Sequence, residues 1–141
     1  MLRGRLLQLM PASMVTAEDV RRIAAPLPRT EVAVVRDRLK FRIRGIVYLA
    51  LSRDETTMGF AFPKEERAAL IAAEPDKFFA PVPSDERFNW VQVRLAALDH
   101  DELYELILDA WRMVVPKRVA AEYLSGWQPE QRGGGVPTDG A

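Results

Sequence analysis

The chain has no cysteine and a single histidine, His100. Without thiols it can form no disulfide, hold no thiolate metal site and use no cysteine nucleophile, a profile that fits a reducing cytoplasm. With one histidine it has no metal-spaced histidine pair, and Ser13, Ser52, Ser84 and Ser125 share that one candidate base. No P-loop, dinucleotide fingerprint or nucleophile elbow occurs. No apolar run approaches the ~20 residues a bilayer-spanning helix needs, so no membrane partner is expected. Net charge is also missing: 20 basic and 20 acidic side chains cancel, and the sequence pI is about 6.6. A dedicated nucleic-acid binder usually carries a basic excess over the whole domain. These absences point to a non-enzymatic binding domain without metal or cofactor, with a carboxylate-only catalyst as the enzymatic alternative.

With 141 residues, 48% of them hydrophobic, the chain suits one domain with one core. Its first residues, MLRGRLLQLMPAS, place Arg3 and Arg5 ahead of LLQLM. Five apolar residues fall short of the ~7–15 of a signal-peptide core. Residues 1–13 therefore read as a disordered extension, with Met14 opening a domain over 14–124. The polar, glycine-rich residues 125–141 read as a disordered tail.

Thr16 followed by acids predicts a capped helix that Pro26 and Pro28 stop. Strands are expected at 31–35, at 36–44 as either an extension of the first or a second strand, and at 46–52 and 56–62, with tight turns at Gly45 and at Asp54–Glu55. Pro63, Glu65 and Glu66 open a second helix that ends before Pro75. Residues 76–87 read as a loop pinned by Phe78 and Phe79, and WVQVRL at 90–95 as a further strand. Asp99 and Glu102 form a capping box for the longest helix, with Leu103, Leu106, Ile107, Ala110 and Val114 as its core stripe. Pro116 should kink or end that helix, and Lys117–Tyr123 should add a turn or two that Gly126 closes. The expected architecture is an α+β two-layer sandwich: an antiparallel sheet of about five strands with helices packed on one face.

Residues 36–45, RDRLKFRIRG, alternate strictly, with Arg36, Arg38, Lys40, Arg42 and Arg44 at every second place. Five positive charges against Asp37 give a local +4, so the rest of the chain sums to −4. A period of two puts the cations on one strand face and Leu39, Phe41 and Ile43 on the other. At ~6.8 Å between alternate residues, the row would span roughly 27 Å and could track a phosphate backbone. The plainer reading is an exposed strand whose charges keep it soluble and unpaired. If Arg44-Gly45 is a two-residue turn, Val47, Leu49 and Leu51 lie opposite the cations, whose stems then cover apolar surface.

The acidic segment DHDELYE puts His100 between Asp99 and Asp101. Adjacent helical residues point in different directions, so the three do not converge and the acids read as helix N-terminal partners. Trp90 and Trp111 are both candidate stacking platforms, although buried packing is the commoner fate of such residues. Trp90 falls on the opposite side of its strand from Val91 and Val93, and so shares a face with Gln92, Arg94 and the basic row.

Five phrases in order, KFRIRG, FPKEERAAL, FFAPVP, NWVQVRL and DELYELILDAWRMVVPKRV, resemble the MmcQ/YjbR family over roughly residues 16–123. The resemblance implies a small bacterial α+β domain of secretion-chaperone-like fold, in a family commonly labelled DNA-binding. Relatives often carry lysine after the turn glycine, where this chain has Ile46, and a Gly-His or Trp-Gly pair where it has Arg36, Asp37 and Arg38.

The expectation is thus weak, non-specific DNA binding through the open sheet face. Arg36, Arg38, Lys40, Arg42 and Arg44 would contact phosphates, with Trp90 and Arg94 beside them and Lys117 and Arg118 as a second basic edge. The alternative is a protein-interaction adaptor using the same face, centred on Val47, Leu49, Leu51 and Trp90. The basic segment and the acidic stripe of Asp99, Asp101, Glu102, Glu105 and Asp109 further predict a monomer or a weak, salt-sensitive homodimer.

Overall fold

The computed structural model describes residues 15–126. The expected extension over 1–13 lies outside the described residues, and so does the expected tail apart from Ser125 and Gly126, which belong to the last helix.

Helix α1 (Ala17–Ala24) begins at a complete capping box: Thr16 accepts from the Asp19 amide while the Asp19 carboxylate accepts from the Thr16 amide. Strands β1 (Glu31–Val35), β2 (Arg38–Ile43), β3 (Ile46–Leu51) and β4 (Thr57–Ala61) form an antiparallel meander. Helix α2 (Lys64–Ala73) follows, then β5 (Phe78–Phe79), β6 (Trp90–Arg94), α3 (His100–Val114) and α4 (Lys117–Gly126). The sheet order is β1-β2-β3-β4-β6-β5. The sixth strand is the Phe78–Phe79 pair, read from sequence as a pinned loop, which adds to the edge beside β6.

The long helix α3 turns Leu103, Ile107, Ala110 and Trp111 to the sheet at helical spacing. They meet Phe41, Ile43, Leu49, Leu51, Met58, Phe60, Val91 and Val93, all 0–1% exposed. Trp111 is thereby settled as core: its indole N–H donates to the Pro28 carbonyl at 2.9 Å, and its ring meets Tyr123 edge-on. Residue Val114 ends α3, Pro116 follows, and α4 starts at Lys117. Lys77 ties this layer to the β5 edge through Glu102 at 2.6 Å and Glu74 at 2.7 Å. The Glu102 hydrogen bond, then that of Glu74, holds the Lys77 ammonium above its ordinary pKa.

Two departures from the expected strands matter for the site. First, residues 36–44 are not one continuous strand. Arg36 and Asp37 form the β1–β2 turn with φ of 54° and 66°, and Arg44 and Gly45 form the β2–β3 turn with φ of 54° and 82°. Two-residue hairpin loops of this twist need positive φ at both positions. The five-cation row is therefore three residues on the strand face, Arg38, Lys40 and Arg42, with an arginine in each flanking turn. Second, the register slips between Phe41 and Arg42: Arg42 faces Val47, but Phe41 faces Leu49. This bulge inserts Tyr48, so Leu49 and Leu51 point into the core and Ala50 takes the open face beside Lys40. The expected apolar centre of Val47, Leu49 and Leu51 on the open face is corrected to Val47 and Ala50. Tyr48 itself is buried, its hydroxyl 2.6 Å from that of Thr30, and burial pushes its pKa up to about 12 against the opposing Thr30 bond.

Candidate nucleic-acid interface

The helices cover one sheet face. On the other, β2 presents Arg38, Lys40 and Arg42, β3 presents Val47 and Ala50, and β4 presents Gly59 and Ala61. Strand β6 adds Trp90, Gln92 and Arg94, because Val91 and Val93 are turned inward with no exposure. Trp90 thus lies on the face its alternation predicts.

The open face is not flat. The segment 81–90 folds against it and makes a trough of about 520 Å³ between Arg38 and Lys40 on one side and Trp90, Phe88 and Asp85 on the other. Its floor includes Val47, Ala50 and Ala61, and Ile46 and Met113 stand at one end. A second hollow of about 150 Å³ adjoins it, sharing Arg38, Ala50, Asp85 and Trp90 and adding Gly59, Val82 and Gln92. The depth comes from small residues: the Trp90 indole lies so close over Gly59 that a Cβ there would sit 2.6–2.7 Å from its ring atoms.

The aromatic wall is held from behind by α2. Arg67 donates to three carbonyls, those of Glu86 at 2.7 Å, Phe88 at 3.1 Å and Trp90 at 2.9 Å. Lys64 donates its ammonium to the Arg87 carbonyl. Asn89 accepts from the Lys64 amide at 2.9 Å, capping α2 from across the chain where Pro63 offers no side-chain cap. Phe88 is 50% exposed, and the Arg87 guanidinium lies 4.6 Å from its ring centre.

The other expected site residues are distributed unevenly. Arg42 is drawn to Glu31, its register partner on β1, at 3.0 Å. Arg94 stacks 4.5 Å over Phe79 and donates to the Asp76 carbonyl, at the far edge of the same face. Lys117 and Arg118 start α4, and Lys117 lines a separate depression with Asp109, Arg112 and Leu124. They share neither hollow with the basic strand. Arg53, unmarked in the sequence reading, donates to the Arg36 carbonyl and brings another cation to the β1–β2 turn. Among the described residues, Arg38 and Lys40 make no ion pair.

The histidine-containing cluster separates as its helical spacing requires. Asp99 caps α3, while His100 turns to Asp19 of α1, Nε2 to Oδ2 3.4 Å. Asp19 also pairs with Arg22. Partial burial would raise the Asp19 pKa, but the bonds from the Thr16 amide, Arg22 and the Thr16 hydroxyl outweigh it and hold the group at about 2. No group of three or more potential metal ligands comes together among the described residues. Within the acidic stripe, Glu102 is occupied by Lys77, and Asp109 is 3.8 Å from Arg112.

Residues 25–113, from the end of α1 to the last turn of α3, match the YjbR family. The chain belongs to that family. Uncharacterized proteins of Mycobacterium tuberculosis (Rv2570) and Mycobacterium bovis (Mb2600) are 40% identical to it over 57 residues, 40% of this chain. The matched segment spans 43% of those relatives' own length. The crystal structure of Deinococcus radiodurans DR2400, a DUF419 domain, superposes with a TM-score of 0.64 over 86% of this chain and 88% of that one. At 19% identity that likeness shows a shared fold. No helix among the described residues is long and apolar enough to cross a membrane.

Proposed function

We propose that this YjbR-family domain is a non-enzymatic binding module whose open sheet face takes DNA, with Arg38 and Lys40 on phosphates. The observation that carries the reading is their placement: two cations without acidic partners among the described residues, side by side on the sheet face opposite the layer that holds α3. The turns add weight. Non-glycine residues with φ near +54° are strained by about 1 kcal/mol, and such positions favour asparagine, aspartate or glycine. Both turns flanking β2 carry arginine in the first position instead, keeping Arg36 and Arg44 beside the row.

Phosphate contacts of this kind position a duplex without reading its sequence, so selectivity should be low. Titration of the full chain into a labelled duplex at low salt tests the reading. Binding should weaken linearly in log salt, and Arg38→Ala and Lys40→Ala should each flatten that slope by about one unit. Absence of binding at ~100 μM both of the duplex and of its separated strand, the weak end of non-specific affinity, overturns it.

A protein-interaction adaptor is the second reading, favoured by a different observation. Of the six large hydrophobic residues that are exposed among the described residues, Ile46, Phe88 and Met113 line the trough and Val82 the adjoining hollow. Apolar contact survives ~0.5 M salt far better than phosphate binding does. A stoichiometric protein partner retained at that salt and lost on Phe88→Asp would support it; failure to retain one counts against it.

A further inference from the structure

We infer that the trough seats an unpaired base with its phosphate, so that the preferred ligand of this face is single-stranded DNA. The inference rests on the DNA-binding reading above and narrows it.

The two walls differ in chemistry. Arg38 and Lys40 supply charge on β2, while Trp90 and Phe88 supply aromatic surface at β6. From β2 to β6 the order runs through β3 and β4, three strand spacings or about 14 Å. Between them the floor is cut low by Ala50, Ala61 and Gly59. The volume of about 520 Å³ falls within the ~300–1,000 Å³ of small-molecule sites, the scale of a nucleotide.

An aromatic ring binds a base by its face, and in a duplex those faces are hidden in the stack. Only phosphates of a duplex could touch this surface, leaving Trp90 and Phe88 without partners. A single strand offers base and phosphate together, and stacking tolerates any base. Packing alone does not account for Phe88, which is half exposed beside a cation rather than buried.

The wall is also preorganised. Arg67 fixes three successive alternate carbonyls of the segment that carries both rings, and Gly59 supports the indole from below. Binding then costs little ordering of the protein. Asp85 sets the direction: it lines both hollows together with Trp90, so its negative charge disfavours phosphate there and the base takes that end.

The test uses the full chain, a mixed-sequence 12-nucleotide strand and the duplex of the same sequence, by fluorescence polarisation at low salt. The single strand should bind at least about tenfold more tightly. Trp90→Ala and Phe88→Ala should each weaken it about tenfold and leave the duplex within about twofold. Lys40→Ala should weaken both. Binding of neither ligand overturns the DNA reading itself. A duplex that binds as tightly as the single strand overturns this inference alone, and so does single-strand preference that survives both aromatic substitutions. Because Trp90→Ala disturbs packing over Gly59, a second measurement leaves the wall intact. In Trp127→Phe protein the remaining indoles are Trp90 and the buried Trp111, so the single strand should quench emission. Unchanged emission at saturation overturns the stacking.

Discussion

The indole of Trp90 occupies the space that a side chain at residue 59 would need, its Nε1 2.6 Å from where a Cβ would stand. Gly59→Ala should therefore displace the ring, costing about 1–3 kcal/mol by overpacking and flattening the trough. In a Trp90→Ala background the clash is gone, and alanine becomes the better strand residue by up to about 1 kcal/mol. A double-mutant cycle by denaturant unfolding should show this change of sign. Equal costs in both backgrounds would mean that the ring does not rest on Gly59.

Arg67 should behave as a structural clamp rather than as surface charge. Removing it in Arg67→Met leaves the carbonyls of Glu86, Phe88 and Trp90 without this donor and should cost about 1–3 kcal/mol. Arg67→Lys should recover little, since a single ammonium cannot reproduce the planar fork. Thermal melting of both variants checks it.

The two strained turns predict a trade between stability and binding. Arg36→Asn and Arg44→Asn each place a residue tolerant of φ near 54° and should stabilise the fold by about 0.5–1 kcal/mol. Each should also shallow the salt dependence of DNA binding by up to about one unit. A melting curve and a salt titration on the same samples report both.

Stability should fall at both ends of the pH scale through identifiable groups. Asp19 titrates near 2 in the folded chain, below its ordinary value of 3.8, so its contribution is complete above that value and is lost as pH falls from about 4 to 2. Allowing for solvent, the contribution is about 1–2 kcal/mol, and Asp19→Asn should remove this part of the acid transition. Tyr48 is shifted the other way, to about 12 from 10.0. Its contribution is complete below pH 10 and is lost as pH rises towards 12. Tyr48→Phe should abolish that alkaline loss while costing about 1 kcal/mol at neutral pH through the unpaired Thr30 hydroxyl. Denaturant unfolding across the pH range distinguishes the two.

Much of this arrangement is legible along the chain. Arg38, Lys40 and Arg42 alternate with Leu39, Phe41 and Ile43, and Trp90 alternates with Val91 and Val93, so period alone assigns both walls to one face. Both capping boxes announce themselves in Thr16–Asp19 and Asp99–Glu102. The bulge does not, because IVYLAL has no polar residue to mark which side faces water, and one inserted residue exchanges the faces silently. The turn at Arg36-Asp37 lacks the asparagine-glycine signature of its type. Arg67 and Asn89 act on backbone about 20 or more positions away in sequence, through contacts that have no local signal.

Asn89 caps α2 from the far side of a long loop, and that link has a consequence for how the molecule breathes. The N-terminal turn of α2 and the 86–90 segment satisfy each other's backbone, so neither can open without stranding the other. They should unfold locally as one cooperative unit, with amide hydrogens in both exchanging at a common rate. A ligand seated on Trp90 would then slow exchange in α2, a helix that it never touches.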